Sequence, residues 1–245
     1  MQKFFVKSEQ IEENIIKIIG TDVNHIINVL RLKKDDEIQI CNEDTSENYI
    51  AKITQYDKEK VICDIVKKLI TTVETNVDIT VYQGLPKADK MELIIQKTTE
   101  IGVKKIVPVA MERSIVKLNE KDENKKVERW QKIAEVAAKQ SKRDIIPKIT
   151  NIVKIAELYE KIKEYDLFIV AYEDEKQLSL KQILRQNNRV KNIAVLIGPE
   201  GGIAFQEIEQ LKQNGAIIVT LGDRILRTET APIVISSNII YELEN

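Results

Sequence analysis

Near residue 77 the chain changes its structural period. Upstream, short β-branched runs with partial alternation follow one another: Glu37-Ile38-Gln39-Ile40-Cys41, Tyr49-Ile50-Ala51-Lys52-Ile53 and Val61-Ile62-Cys63-Asp64-Ile65-Val66. Polar breaks such as Asn42-Glu43-Asp44-Thr45-Ser46 separate them. Val23, Ile26, Ile27 and Leu30 sit at helical spacing, with Thr21 or Asp22 available as a cap. A small β-barrel carrying one helix is therefore predicted over residues 1–72.

Downstream, over residues 73–245, strands alternate with helices. Strands are predicted at Asp78 to Tyr82, Lys105 to Val109, Leu167 to Tyr172, Ile193 to Ile197 and Ile217 to Leu221. Helices are predicted at about Asn124 to Lys142, Leu178 to Gln186, Ala204 to Asn214 and Pro232 to Leu243. A further helix begins after Asp89, which with Glu92 resembles a capping box, buries Met91, Ile94, Ile95 and Thr98, and stops at Gly102. Such alternation predicts an α/β domain with a mostly parallel sheet, whose ligand lies at the carboxyl ends of the strands.

Scarcity excludes several chemistries. One histidine, His25, and two cysteines, Cys41 and Cys63, cannot make a Cys/His zinc site, so no metal is expected. No Gly-x-Ser-x-Gly elbow exists for a serine hydrolase. Both cysteines fall in strand-like runs, which predicts free, half-buried thiols. With 43% hydrophobic and 31% charged residues and no apolar run of membrane-spanning length, a soluble cytoplasmic protein without a membrane partner is expected.

Five of the eight glycines fall in the last 48 residues. Gly215 reads as a helix terminator after Lys212. Strand Ile193 to Ile197 runs straight into Gly198-Pro199-Glu200-Gly201-Gly202, which opens a helix. Strand Ile217 to Leu221 ends at Gly222, and Asp223-Arg224-Ile225-Leu226-Arg227-Thr228-Glu229-Thr230-Ala231-Pro232 leads into the last helix. Pro232 suits a first helical turn, and Thr230 can cap it. Glycine there lets backbone approach a ligand, although any strand-to-helix turn can be glycine-rich. The spacing is neither Gly-x-Gly-x-x-Gly nor Walker A, and no Gly-Lys-Ser/Thr occurs, so a nucleotide-hydrolysing phosphate cradle is poorly supported.

From Arg113 to Lys148 there are 11 Lys and Arg against 6 Asp and Glu, an excess suited to phosphates or simply to a solvated helix face. Residues 1–72 carry 11 basic and 13 acidic side chains, and aromatics are only 5%, so neither a strong field nor a stacking platform comes from that half. A non-catalytic RNA-binding protein remains a rival reading.

The motifs resemble one family nearly end to end: the bacterial 16S ribosomal RNA uridine N3 methyltransferases, the E family of small-subunit methyltransferases in the SPOUT superfamily. The likeness rests on His25-Ile26-Ile27-Asn28-Val29-Leu30-Arg31, Leu85-Pro86-Lys87 with Lys90-Met91-Glu92, Gln96 to Val103, and Glu112-Arg113-Ser114. It continues through Arg129-Trp130, Ala137 to Arg143, Ile146-Pro147, Ile197 to Gly202 and Leu221 to Ala231. Two positions depart from the family pattern: Asp35, where glycine is usual, and Asp223, where proline is common.

The resemblance implies a PUA-like N-terminal barrel and a C-terminal α/β domain with a deep trefoil knot. It implies S-adenosylmethionine as cofactor, a homodimer, and a uridine of 16S ribosomal RNA in the small subunit as target. By the same resemblance Ile197, Gly198, Pro199, Glu200, Gly201, Gly202, Leu221, Gly222, Leu226, Arg227, Thr230 and Ala231 hold the cofactor. His25, Arg31, Arg113, Lys139, Gln140 and Arg143 are the expected RNA contacts. For catalysis the candidates are Arg227 and Arg143, to stabilise charge on the uracil, and Glu229 or Glu200 as proton acceptor, Glu229 being equally able to hold Arg227 in place.

Overall fold

The computed structural model describes residues 1–70, 72–115 and 120–244. Two compact units form: Met1–Glu74 with Ala138–Ile146, and Thr75–Ala137 with Pro147–Asn245.

The first unit is a six-stranded sheet of β1 (Lys3–Val6), β2 (Ile11–Glu12), β3 (Ile15–Ile19), β4 (Glu37–Asn42), β5 (Asn48–Tyr56) and β6 (Lys60–Leu69), ordered β1-β4-β5-β6-β3-β2. Only β1 and β4 are parallel. Alternation puts Ile16 and Ile18 of β3 inside and leaves Ile15, Lys17 and Ile19 outside. The β5/β6 register slips between Ile50 and Ala51 and again between Ile53 and Gln55, and such bulges bend a sheet. Phe4, Ile16, Ile18, Ile26, Ile38, Ile40 and Ile53 fill its core. The ladder ends at β1 and β2, so hydrogen bonding describes a curled sheet whose ends are not paired with each other.

The predicted helix is short and irregular: α1 (Thr21–Asn24) passes into a π-turn over His25–Val29, closed by Leu30 N–H on His25 C=O at 2.9 Å. Val23 and Ile26 are buried as the spacing predicts, but neither Thr21 nor Asp22 caps it. Gly20 is the N-cap, and the Asp22 carboxylate accepts instead from Lys139. Asp35 adopts φ 77°, the left-handed region that favours glycine, which explains the family's usual residue there.

Segment Ala138–Ile146 packs with this unit. Phe5, Cys41 and Ala138 form a small apolar cluster joined by Ile146, and Cys41 Sγ donates to Asp144 C=O at 3.1 Å. Asp144 pairs with buried Lys3 and accepts from Thr72 Oγ1 and Val73 N–H at 2.8 and 3.0 Å. Burial pushes both thiols, Cys41 and Cys63, up to about 12, and both are free.

The second unit holds β7 (Asp78–Gly84), β8 (Lys105–Ala110), β9 (Lys148–Ile149), β10 (Val153–Lys154), β11 (Leu167–Ala171), β12 (Asn192–Ile197) and β13 (Ile217–Val219). All pairings are parallel, in the order β10-β8-β7-β12-β11-β13 with β9 also on β8. The helices are α2 (Lys90–Ile101), α3 (Glu120–Gln140), α4 (Leu158–Lys161), α5 (Leu180–Gln186), α6 (Phe205–Gln213) and α7 (Ala231–Leu243). Tyr82, Val107, Phe168, Val170, Leu196 and Ile218 face Leu158 of α4 and Ile208 and Leu211 of α6, while α7 lies on β7 and β12 between α2 and α5. Sheet strands buried this way read as continuous apolar runs, as Ile193 to Ile197 does.

Three local expectations differ. The capping box does not close: Asp89 has φ −91° and ψ 11° rather than the extended backbone of a capping residue, and Glu92 is drawn to Arg129 at 2.8 Å. Thr230 occupies the N-cap of α7 without a side-chain cap, at helical φ and ψ of −86° and −39°, and Pro232 alone fulfils its expected place. The last strand stops at Val219, with Thr220 bridging to Ser179.

Candidate functional site

A cavity of about 380 Å³ opens where β11, β12 and β13 end. Its location is the one a parallel sheet offers a ligand, outside the carboxyl ends of its strands. Both glycine turns form its walls. At Gly198 a Cβ would stand 2.9 Å from Ile203 Cγ1 and 3.1 Å from the Gly202 carbonyl carbon, so the loop folds back too closely for any side chain. Gly222 has open space around it, but its φ of 112° suits glycine alone.

Of the expected cofactor residues, Ile197, Gly198, Pro199, Glu200, Gly202, Leu221, Gly222, Leu226, Arg227 and Ala231 line the cavity. Gly201 and Thr230 do not. The Gly201 carbonyl points back to Arg113, whose Nη1 donates to it at 3.1 Å, and Thr230 N–H donates to Arg227 C=O at 2.8 Å. Arg113, expected on RNA, thus braces the first glycine loop.

Several lining residues had no role from the sequence. Ala171 ends β11, a strand without a terminal glycine, and Tyr172, Glu173 and Lys176 follow it. Their signal was position alone: a third parallel strand ending beside the other two. Lys90 sits at the start of α2 with Nζ 3.0 Å from Glu200 and 3.1 Å from Glu229, so it joins one carboxylate from each glycine loop. Buried Gln83 donates from Nε2 to Thr228 Oγ1 at 3.0 Å, and Thr228 Oγ1 donates to Gly198 C=O at 2.7 Å.

Charge at the rim follows from these contacts. Burial opposes ionisation of Glu200 and of Glu229. The hydrogen bonds of Lys90 and of backbone N–H groups outweigh it and hold both carboxyls below the usual range. The same two hydrogen bonds raise Lys90. Arg227 is exposed, and its charge adds to the ionisation of Glu229, whose carboxylate partner is Lys90 rather than Arg227. Low basicity makes either carboxylate a weak proton acceptor at neutral pH.

His25, Arg31, Lys139, Gln140 and Arg143 all fall in the first unit. His25 is exposed with its ring edge-on to Phe4 at 6.1 Å, and Arg31 and Gln140 are exposed. Two charges of the basic stretch are engaged within that unit. Lys139 pairs with Asp22 at 2.9 Å, and Arg143, 4% exposed, is held by both oxygens of Glu74. Arg143 is not among the residues lining the cavity. Among the described residues no cluster of His, Cys, Asp and Glu has the size to hold a metal, and no helix is long and apolar enough to cross a membrane.

Comparison with known proteins agrees over the whole chain. An RNA methyltransferase domain family matches residues 73–240, and an RNA methyltransferase PUA domain family matches residues 18–66. The ribosomal RNA small subunit methyltransferase E of Bacillus subtilis is 36% identical, covering 100% of this chain and 98% of the relative. That of Aquifex aeolicus is 34% identical over 94% and 96%. The crystal structure of the Neisseria gonorrhoeae ribosomal RNA small subunit methyltransferase E bound to S-adenosyl methionine superposes with a TM-score of 0.87 at 30% identity, covering 98% of this chain and 96% of that one. With both glycine turns closing one cavity at the strand ends, and with likeness at this level from end to end, the chain belongs to the ribosomal RNA small subunit methyltransferase E family.

Proposed function

We propose that this protein transfers a methyl group from S-adenosylmethionine to N3 of a uridine in the 16S ribosomal RNA of the small ribosomal subunit, in the cytoplasm. The observation that carries the reading is the single cavity into which both glycine turns and the start of α7 converge. Its volume lies within the range of small-ligand sites. Apolar Ile197, Leu221, Leu226 and Ala231 suit an adenosine, and Glu173 and Glu200 suit the positive charges of the cofactor's methionine part. The donor set fits the group.

The cofactor supplies an activated methyl on a sulfonium. The protein's own work is placement and charge. Neutral uridine carries a proton on N3, so the nitrogen has no free pair in the ring plane until that proton leaves. Arg227, exposed at the cavity, presents a planar five-donor cation to a uracil edge and stabilises the anion as it forms. Glu200 and Glu229, held ionised, are better suited to opposing cationic charge than to taking the proton, which passes to water. N3 lies on the pairing edge, so the base must be unpaired or splayed out to enter.

The first unit, PUA-like by its family match, serves as the RNA-binding part, with His25, Arg31 and Gln140 as its exposed polar contacts and Arg113 as the contact from the second unit. The finer family features, closure of the curled sheet into a barrel, a trefoil knot in the second unit and a homodimer, belong to the same proposal. Single-turnover methyl transfer to small subunits from a strain lacking the modification, followed by nucleoside analysis, tests it. Label appearing as 3-methyluridine supports the reading. Label on another base or atom, or uptake of ATP in place of S-adenosylmethionine, overturns it.

A further inference from the structure

Three separate stretches of the second unit meet at one ammonium. Lys90 opens α2, Glu200 lies in the loop after β12, and Glu229 lies between β13 and α7. The Nζ contacts of 3.0 and 3.1 Å span residues 110 and 139 positions away in sequence. Glu200 is fixed from a second side by Lys87 N–H, at 3.1 and 3.3 Å from its two oxygens. The three side chains are partly buried, 30%, 26% and 16% exposed, so water screens them only in part.

We propose that Lys90 is a positioning residue for the methyl-transfer site: it clamps the two glycine loops together through one carboxylate from each, Glu200 on the cavity wall and Glu229 behind it. The inference rests on the cofactor reading given above. Glu200 lines the cavity, so the carboxylate that Lys90 holds there can face a cationic cofactor. Without the cation the two carboxylates face each other at the distance their shared partner allows. Their repulsion is then unrelieved, and the loops lose the reason to stay closed. A neighbouring closure, Gln83 through Thr228 to Gly198, lies deeper and involves neutral groups, so it does not substitute for the charge.

The test has two arms on the full chain. In the first, amide hydrogen exchange is read without ligand for the wild type, Lys90→Met and Lys90→Arg. Faster exchange in Lys90→Met confined to residues 198–202 and 223–230, restored by Lys90→Arg, supports the clamp. Unchanged exchange in both loops overturns it, whatever the ligand proves to be. In the second, S-adenosylmethionine is titrated from pH 5 to 8. The expected result is about tenfold weaker binding by Lys90→Met at neutral pH. The gap widens toward pH 5 as the carboxylates take up protons, while the wild type stays flat and Lys90→Arg stays near it. Equal loss in both variants with no pH dependence overturns the charge role and leaves a packing role. If Lys90→Met shows the loop effect in the first arm but the wild type binds no S-adenosylmethionine, the clamp stands and the cofactor reading is overturned instead.

Discussion

Thr228 Oγ1 donates a 2.7 Å hydrogen bond to the carbonyl oxygen of Gly198, so a hydroxyl of the last loop closes on the first glycine of the loop 30 residues earlier. The same oxygen accepts from Gln83 at the end of β7. Thr228 and Gln83 are both buried. Thr228→Val keeps the shape and removes the hydroxyl, leaving the Gly198 carbonyl only its 3.5 Å contact from Gln83 and the buried Gln83 amide one acceptor fewer. The expected cost is about 1–3 kcal/mol of unfolding free energy. Weaker S-adenosylmethionine binding should accompany it, read by denaturant midpoint and calorimetry on the same sample. Unchanged stability would mean that neither bond forms in solution.

Gly84 ends β7 directly beneath Pro199. A Cβ there would lie 2.6 Å from Pro199 Cδ and 2.7 Å from Pro199 N, with Met111 Sδ at 2.8 Å. Ring and backbone cannot yield as a flexible chain end does, so Gly84→Ala must push the 198–202 loop outward. At Gly201 the equivalent atom meets only Arg113, at 3.1 Å from its Cβ, and Gly201 is not on the cavity wall. Gly84→Ala is therefore expected to weaken S-adenosylmethionine binding by about tenfold or more, and Gly201→Ala by much less. Calorimetric titration of both checks the order, and the reverse order would place the cofactor outside this cavity.

These contacts mark the limit of what the sequence carries. Both glycine turns are legible, because close approach and positive φ leave a residue-type signature at the position itself. So are the parallel strands, whose burial on both faces writes itself as an apolar run. Lys90 and Gln83 carry no such mark, since their roles arise only when segments over 100 residues apart are brought together. The same competition explains the failures. Asp89 and Glu92 satisfy the local pattern of a capping box, yet Arg129 takes the Glu92 carboxylate. Lys139 and Arg143 read as free basic charge until folding supplies Asp22 and Glu74 from 117 and 69 residues earlier.

Lys3 and Asp144 form a buried ion pair in the first unit, both about 3% exposed. Burial alone would raise the Asp144 carboxyl, but Lys3 and the donors Val73 and Thr72 outweigh it and lower its pKa. A depressed carboxyl contributes its full stability above the unfolded value near ~4 and loses it as pH falls through the lower folded value. Asp144→Asn leaves the Lys3 ammonium buried without its counter-charge, so a loss of about 3 kcal/mol is expected at pH 7. The variant should also lose part of the wild type's decline in stability below about pH 4. Adding Lys3→Met should recover part of the loss. Denaturant unfolding from pH 3 to 7 measures all three, and an Asn variant as stable as wild type would show that the pair contributes nothing.

Arg227 stands between the Gly222 turn and α7, exposed on the cavity and without an ion pair among the described residues. Glu229, two residues on, is committed to Lys90, so the guanidinium is not held by it and can turn to a substrate. A uracil anion spreads its charge over N3 and two carbonyl oxygens, a planar edge that a fork of parallel N–H donors matches and a single ammonium does not. Arg227→Lys keeps the positive charge and its field while removing the fork. It is therefore expected to keep S-adenosylmethionine affinity and the sedimentation behaviour of the wild type. Single-turnover methyl transfer to unmodified small subunits should fall by about 100-fold, the scale on which loss of one oriented donor acts. Near-normal transfer would remove Arg227 from the chemical step. A fall matched by an equal loss of S-adenosylmethionine binding would assign it to holding the cofactor, since a group acting only on the developing anion has no contact to lose before the base arrives.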